Sequence, residues 1–286
     1  MKILFIGDIV GKPGREAIRL LLPKLKKKYN VDLSIANGEN AAGGSGITPK
    51  IAQELFSFGL DMLTSGDHIW KRKEILETLD SETRILRPAN YPKGAIGRGY
   101  GTVKTKKGDT AGVINLEGRV FMSTLDCPFK RAKEALEELK EKTRVILVDI
   151  HAEATSEKVA MGWFLDGMVS AVVGTHTHVQ TADERILPGG TAYITDLGMT
   201  GPYDSVIGRR PEQILARFLT QMPVRFEMAS DNVQLAGVVL DIDETTGKAR
   251  GIERVQEKLT ENRKQKTDNR RQRTGKSEFG LPISAF

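Results

Sequence analysis

The sequence predicts an α/β fold in which two sheets pack together beneath outer helices. Two observations predict it. Over the first 80 residues, short apolar runs alternate with amphipathic stretches in a βαβαβ rhythm, which argues for a mixed sheet with helices outside it. Beyond residue 100 come further short strands rich in glycine and β-branched residues. They argue for a second, more antiparallel sheet packed against the first.

Taken in order, Ile3–Gly7 is a buried strand. Pro13–Tyr29 is an amphipathic helix, which Pro23 should kink or end early. Leu33–Ala36 is the second strand. Thr48-Pro49 is an N-cap followed by proline at the first helical position, opening a helix to about Phe58. Met62–Thr64 is a third strand and Arg72–Leu79 a third helix. Short strands are expected at Gly101–Lys104, Gly112–Leu116 and Arg119–Ser123, followed by a helix over Ala132–Lys142. Val145–Ile150 is the longest β-rich buried run, and Ser156–Leu165 is a helix. Ala171–Gly174 and Ala192–Thr195 are strands, and Pro211–Thr220 is a helix. Val224–Met228 and Val233–Ile242 read as an antiparallel pair joined by Ser230-Asp231-Asn232.

The bulk composition suits a soluble enzyme-sized domain. Hydrophobic residues make up 39% of the 286 and charged residues 28%, so a substantial core needs no disulfide staple. The single cysteine, Cys127, allows no intrachain disulfide and fits a reducing compartment. Met1–Val10 is interrupted by Asp8 and reads as a core strand, not a signal peptide. No uncharged run approaches the ~20 residues of a membrane helix, so a cytoplasmic location without membrane contact is expected. The net charge of +6 is uneven. Residues 258–286 hold eight bases against three acids, a charge of +5, and the other residues are nearly balanced. A folded body over 1–257 and a basic extension over 258–286, flexible or docked, is the expected organisation. That extension is a candidate RNA contact.

All four histidines lie in short polar motifs: Gly66-Asp67-His68, Asp149-Ile150-His151-Ala152-Glu153 and Gly174-Thr175-His176-Thr177-His178. Gly7-Asp8 and Asn37-Gly38-Glu39-Asn40 complete the set, and each motif closes an apolar run. In open α/β sheets, function gathers beyond the carboxyl ends of strands. A lone Asp there also reads as a helix N-cap, and a lone His as a satisfied structural residue. Five such motifs together read as a metal site, with His-x-His placing alternate residues on one face. The donors are oxygen and nitrogen without thiolate, which favours Fe, Mn, Zn, Co or Ni. Glu39 or Asp8 is the natural bridging carboxylate. Two ions ~3.5–4 Å apart clamp a phosphoryl group and activate water. His68, beside a ligand yet able to point away, fits the general acid that protonates the leaving oxygen.

These motifs resemble the calcineurin-like metallophosphoesterase superfamily. The stretches Phe5–Gly11, Ala36–Gly44, His151–Lys158 and Thr195–Pro202 resemble its YmdB-type bacterial branch, over about residues 1–257. The resemblance implies a four-layer αββα sandwich, a di-iron or similar site with manganese or zinc as alternatives, self-association, and phosphodiesterase activity on 2′,3′-cyclic and other cyclic nucleotides. It implies that Asp8, Glu39, Asn40 and His178 hold one ion. Glu39, Asp67, His151 and His176 would hold the second, with Glu39 bridging and His68 donating the proton. Val10 stands where the wider superfamily often has histidine, and Glu39 replaces the usual bridging Asp; the YmdB-type branch shares both. Asp67 stands where the family usually has Asn. Its added negative charge is expected to raise the pKa of a bound water and to bear on metal preference.

Gly7–Gly14 is spaced G-x-x-x-G-x-x-G, which is not the dinucleotide fingerprint. Tyr203, Arg209 and Arg210 are candidate contacts for a base or phosphate. Two other functions fit the same residues: a regulatory nucleotide- or RNA-binding protein with weak turnover, and a phosphomonoesterase.

Overall fold

A computed structural model describes residues 1–260. The expected basic extension, with its suggested RNA contact, falls almost wholly outside the described residues. The chain builds four layers, helices on sheet on sheet on helices. The first sheet contains β1 (Lys2–Ile6), β2 (Asp8–Ile9), β3 (Leu33–Asn37), β4 (Met62–Thr64), β11 (Met199–Pro202), β12 (Val233–Ile242) and β13 (Ala249–Lys258). The second contains β5 (Tyr100–Lys104), β6 (Thr110–Glu117), β7 (Val145–His151), β8 (Ala171–Thr175), β9 (Arg185–Ile186) and β10 (Ala192–Ile194). This is the four-layer αββα sandwich, with two mixed sheets, that the motifs imply.

Period-two alternation assigns each side chain to a layer. On β1, Ile3 and Phe5 face the space between the sheets, where Leu33, Ile35, Val145, Leu147 and Val173 meet them. Leu4 and Ile6 face the other way, toward Ile18, Leu21 and Leu25 of α1 (Gly11–Tyr29) and Leu55 of α2 (Pro49–Ser57). On β7, Ile146, Val148 and Ile150 face Leu136 of α4 (Pro128–Lys140) and Met161 of α5 (Thr155–Leu165). Strands covered on both faces must be apolar nearly throughout, which is why they read as continuous runs.

Several expectations are corrected. The helix does not end at Pro23: α1 continues to Tyr29, because buried Leu21, Leu22 and Leu25 flank an exposed proline whose missing bond faces solvent. The third helix begins later, with α3 at Leu76–Ser81 after a 3₁₀ turn at Lys73–Ile75. Arg119–Ser123 forms no strand. The Glu157 carboxylate takes the backbone N–H groups of Arg119 (3.0 Å) and Val120 (3.2 Å), and Phe121 adopts φ 63°. Val224–Met228 forms no strand either. Both edges of β12 are occupied, by β1 and β11 on one side and β13 on the other. The second sheet is not mainly antiparallel: β6, β7, β8 and β10 run parallel, and only its edge strands β5 and β9 reverse.

Two buried polar links fix the rim where the motifs lie. Asp149 on β7 accepts from Thr64 of the other sheet at 2.5 Å and from Thr175 at 2.7 Å. On the neighbouring turn, Lys158 of α5 and Asp196 form an ion pair at 2.6 Å, both essentially without solvent exposure. Asp196 also accepts from Thr177 N (3.1 Å), Thr177 Oγ1 (2.7 Å) and Gly198 N (2.8 Å). One carboxylate thus holds the turn carrying His176 and His178. Truncating the lysine leaves a buried charge unpaired, at a cost of about 3–5 kcal/mol. Lys158→Ala is expected to lower the unfolding free energy by that amount in denaturant titrations.

Burial pushes the Asp149 carboxyl up to about 7, outweighing its hydrogen bonds from Thr64 and Thr175. Its folded pKa lies above the unfolded value of about 3.9, so the native state holds the proton more tightly. That contribution to stability is complete below about pH 4 and is lost as pH rises through 7. In metal-free Asp149→Asn, the stability–pH curve is expected to lack this decline, as read by denaturant melts at stepped pH.

Candidate metal centre

Five strands deliver the polar motifs to one rim. Asp8 follows β1 and begins β2, whose pairing with β11 is set by its backbone N–H bonded to Gly198 O at 3.1 Å. It caps no helix: α1 is preceded by Val10, with no side-chain cap. Glu39 and Asn40 lie in the turn after β3, where Asn37 Oδ1 accepts from Glu39 N at 3.1 Å. Asp67 and His68 follow β4. His151 is the last residue of β7, and His176 and His178 follow β8.

Glu39, Asp67, His151 and His176 each direct one donor atom into a common space, the four atoms within 4.8 Å of one another. His151 Nε2 lies 3.1 Å from Glu39 Oε1, 3.4 Å from Asp67 Oδ1 and 3.0 Å from His176 Nδ1. Beside them, His178 Nε2 lies 3.8 Å from Asp8 Oδ1 and 3.3 Å from Asn40 Nδ2, which also donates to Glu39 Oε1 at 3.2 Å. Glu39 therefore stands between the two groups. Asn40 turns Oδ1 away, to His68 Nδ1 at 2.7 Å. Ligation through its oxygen requires a half-turn of the amide.

The donors fit a pair of cations. Asp8 Oδ1 and Asp67 Oδ1 are buried and accept no hydrogen bond among the described residues. Such acceptors are costly unless a cation takes them. His151 Nδ1 lies 2.9 Å from Thr175 Oγ1, which spends its own proton on Asp149. With Nδ1 turned to the Thr175 hydroxyl and to Asn37 Nδ2 at 3.3 Å, Nε2 is the ring nitrogen that faces the cluster, the outer-sphere arrangement of a metal-binding imidazole. Without an ion, the same geometry stores a proton. Burial disfavours the imidazolium, but the adjacent Glu39 and Asp67 carboxylates raise His151 well above its ordinary value. Burial would lift Asp67 and Glu39, yet the His151 proton holds both carboxyls below the usual range. Burial raises Asp8, against the pull of His178 and His151. Burial and the His151 charge lower His176.

Close approach depends on glycine at one point in particular. A Cβ on Gly66 would overlap the His151 ring and stand 2.5 Å from Glu39 Oε2. No side chain fits there, between β4 and the ligands, without displacing them.

The remaining predicted residues divide. His68 is part-exposed, with Nε2 3.7 Å from Asp67 Oδ2 and its backbone N–H on Glu39 Oε2 at 3.0 Å. Tyr203 lines a cavity of about 280 Å³ together with His178. Arg209 is held by the carbonyls of Gly44 (2.8 Å) and Gly43 (3.3 Å), tying two loops together. Arg210 is not brought to that cavity; it pairs with Glu227 at 3.4 Å beside a separate cleft. Sequence reading gave no role to Glu153, 3.2 Å from His176 Nε2, nor to Asn37 and Asp149. All three lie within the motifs, so their positions were visible while their partners were not.

Comparison with known proteins places the chain in a family and a fold. A family model described as YmdB-like protein matches residues 4–255. The chain is 54% identical over 255 residues to the 2′,3′-cyclic-nucleotide 2′-phosphodiesterase of Bacillus subtilis strain 168, covering 89% of this chain and 96% of that one. The crystal structure of a hypothetical protein from Thermus thermophilus superposes with TM-score 0.85 at 43% identity, covering 91% of this chain and all of the other. That of a novel phosphatase from Mycoplasma pneumoniae superposes with TM-score 0.85 at 37% identity, covering 92% and 95%. The calcineurin-like architecture implied by the motifs is the architecture of this chain. By the family match and by these relatives, the chain belongs to the YmdB-like family.

Proposed function

We propose that this chain is a metal-dependent phosphodiesterase hydrolysing 2′,3′-cyclic and 3′,5′-cyclic nucleotides. The observation that carries the reading is the convergence of Glu39, Asp67, His151 and His176 on one space, with Asp8 and His178 adjoining. The activity named for the Bacillus subtilis relative supports the substrate class. In this reading Asp8, Glu39, Asn40 and His178 would hold one ion and Glu39, Asp67, His151 and His176 the other. Iron is the proposed metal, with manganese and zinc as alternatives compatible with O and N donors. Bound ions supply charge for the phosphoryl oxygens and acidify water.

The protein's own groups do the rest. His68 keeps Nδ1 against the Asn40 amide, which faces it with Nδ2 once Oδ1 is turned to an ion, and its Nε2 is the nitrogen that would donate a proton to the leaving oxygen. Thr175, itself bonded to Asp149, orients the His151 ring, and Glu153 orients His176 from behind. Tyr203 adjoins on the His178 side and is the better placed of the three candidate substrate contacts.

We place the enzyme in the cytoplasm. The lone Cys127 supports a reducing compartment, and no helix among the described residues is long and apolar enough to cross a membrane. We further propose self-association through α6 (Pro211–Thr220). Leu215, Phe218, Leu219 and the following Met222 recur at helical spacing on one exposed face, Leu219 being 77% exposed. Such a row on a globular protein marks an interaction surface.

Glu39→Gln removes the shared charge. It is expected to retain less than half the wild-type metal by elemental analysis and to lower kcat on 2′,3′-cyclic AMP by about a hundredfold or more, about 3 kcal/mol of transition-state stabilisation. Gly66→Ala is expected to lose metal similarly while circular dichroism stays native. Because His151 must give up a proton that it holds well above the ordinary imidazole range, metal affinity is expected to rise with pH through neutrality and to keep rising above it, read by competition with a chelator. Phe218→Glu with Leu219→Glu is expected to shift the chain to monomer in light scattering.

A further inference from the structure

Beside the metal centre lies the cavity of about 280 Å³ that Tyr203 lines, and it has its own chemistry. His178 is the wall between the two. Its Nε2 faces Asp8 and Asn40, while its Nδ1 lies 3.2 Å from Ile207 O on the cavity side. Val179 and Ile207 line the cavity yet remain 64% and 54% exposed, apolar surfaces that no described residue covers. Ile207 holds φ 45°, a left-handed backbone that a β-branched residue rarely adopts. The reciprocal backbone bonds of Val206 and Arg209, both 2.9 Å, and Ser205 Oγ on Gly208 N keep it there. The polar lining comes from Arg254 and Gln256, alternate residues of β13 that share a face. Arg254 forms an ion pair with Glu184, Nε 2.8 Å from Oε2, which anchors the guanidinium at the cavity wall.

We propose that this cavity is a nucleobase site selective for guanine, so that the substrates of the phosphodiesterase reading above are guanine nucleotides in preference to adenine ones. The inference rests on that reading for the phosphate and adds the base. A nucleotide whose phosphate reaches the ions has its base about one ribose away, and the neighbouring space across His178 is this cavity. Val179 and Ile207 offer apolar contact to the ring faces. The Arg254 fork matches two adjacent acceptors, O6 and N7 of guanine; adenine offers a donor at N6, which a guanidinium cannot meet. Gln256, beside Arg254 on the same face of β13, supplies an amide for the remaining edge.

Guanosine binding tests the base site without turnover, because guanosine carries no phosphate. Calorimetry on the full metal-loaded chain is expected to show guanosine binding at least about tenfold tighter than adenosine or uridine. Arg254→Ala and Gln256→Ala are each expected to weaken guanosine by about tenfold, the scale of one lost bidentate contact. Equal affinity for the three nucleosides, no guanosine binding, or unchanged affinity in both variants would overturn the proposal. Turnover of bis(4-nitrophenyl) phosphate by the wild-type chain, which presents no base, separately tests the phosphodiesterase reading. Its absence would sink that reading while the nucleoside affinities still decide this one.

Discussion

The rim of this molecule depends on one buried carboxyl. Asp149 lies in the second sheet, takes a hydroxyl from Thr64 of the first, and takes another from Thr175, which in turn receives His151. Two sheets packed by apolar side chains are free to slide, because dispersion and burial are nearly indifferent to register. Directional hydrogen bonds are not. The Asp149 links, together with the Asn115 amide on Ser65 O at 2.9 Å, fix how the carboxyl ends of the two sets of strands face each other. Only then do Asp8, Glu39 and Asp67 from one sheet meet His151, His176 and His178 from the other.

That meeting is unfavourable in itself. Asp8 and Glu39 are buried, Asp67 partly so, and like charges at short range in low dielectric repel strongly. The chain offsets this with imidazoles that alternate with the carboxylates and with rigid backbone on either side. The turn bearing two histidines is held by the buried Lys158–Asp196 pair, and both histidines occupy positive φ, 101° at His176 and 65° at His178. Strain of this kind persists where surrounding contacts over-determine it. The family-like stretches His151–Lys158 and Thr195–Pro202 thus encode less of the ligand set than of its support.

The motifs made the converging side chains legible because each follows an apolar run that reads as a strand. The period-two and period-3.6 patterns likewise exposed the strands and helices that bury one or both faces. What escaped was decided by partners far away in the chain. Ala249–Lys258 is a ten-residue strand whose charged outer face hides its alternation, and only β12 opposite it shows why it is there. Val224–Met228 has strand-like residues and no free edge of β12 to join. Arg119–Ser123 gave its backbone to Glu157, a helix residue nearly forty positions away. Pro23 was overruled by leucines on either side of it. Each case is tertiary context outvoting local preference. Glu153 and Asp149 were visible in the same motif as His151, yet nothing in one dimension says which carboxylate faces a ligand and which faces a threonine.

Asp67 shows how this balance sets the chemistry. In the proposed centre, an amide in its place would leave Asp8 and Glu39 to bring two negative charges to the ions; with Asp67 the carboxylates would bring three. The extra charge binds hard cations more tightly and lessens the pull on a bound water, so affinity and acidity move in opposite directions. Nearby Glu117 would add a fourth charge. It is buried, neither oxygen has a hydrogen-bond partner among the described residues, and burial pushes its pKa up to about 7. At neutral pH it is about half protonated, so it adds only part of a charge. The site holds its third carboxylate because burial keeps part of the Glu117 charge neutralised and because His151 stands between the negative groups, and the same His151 ties that electrostatic balance back to Asp149.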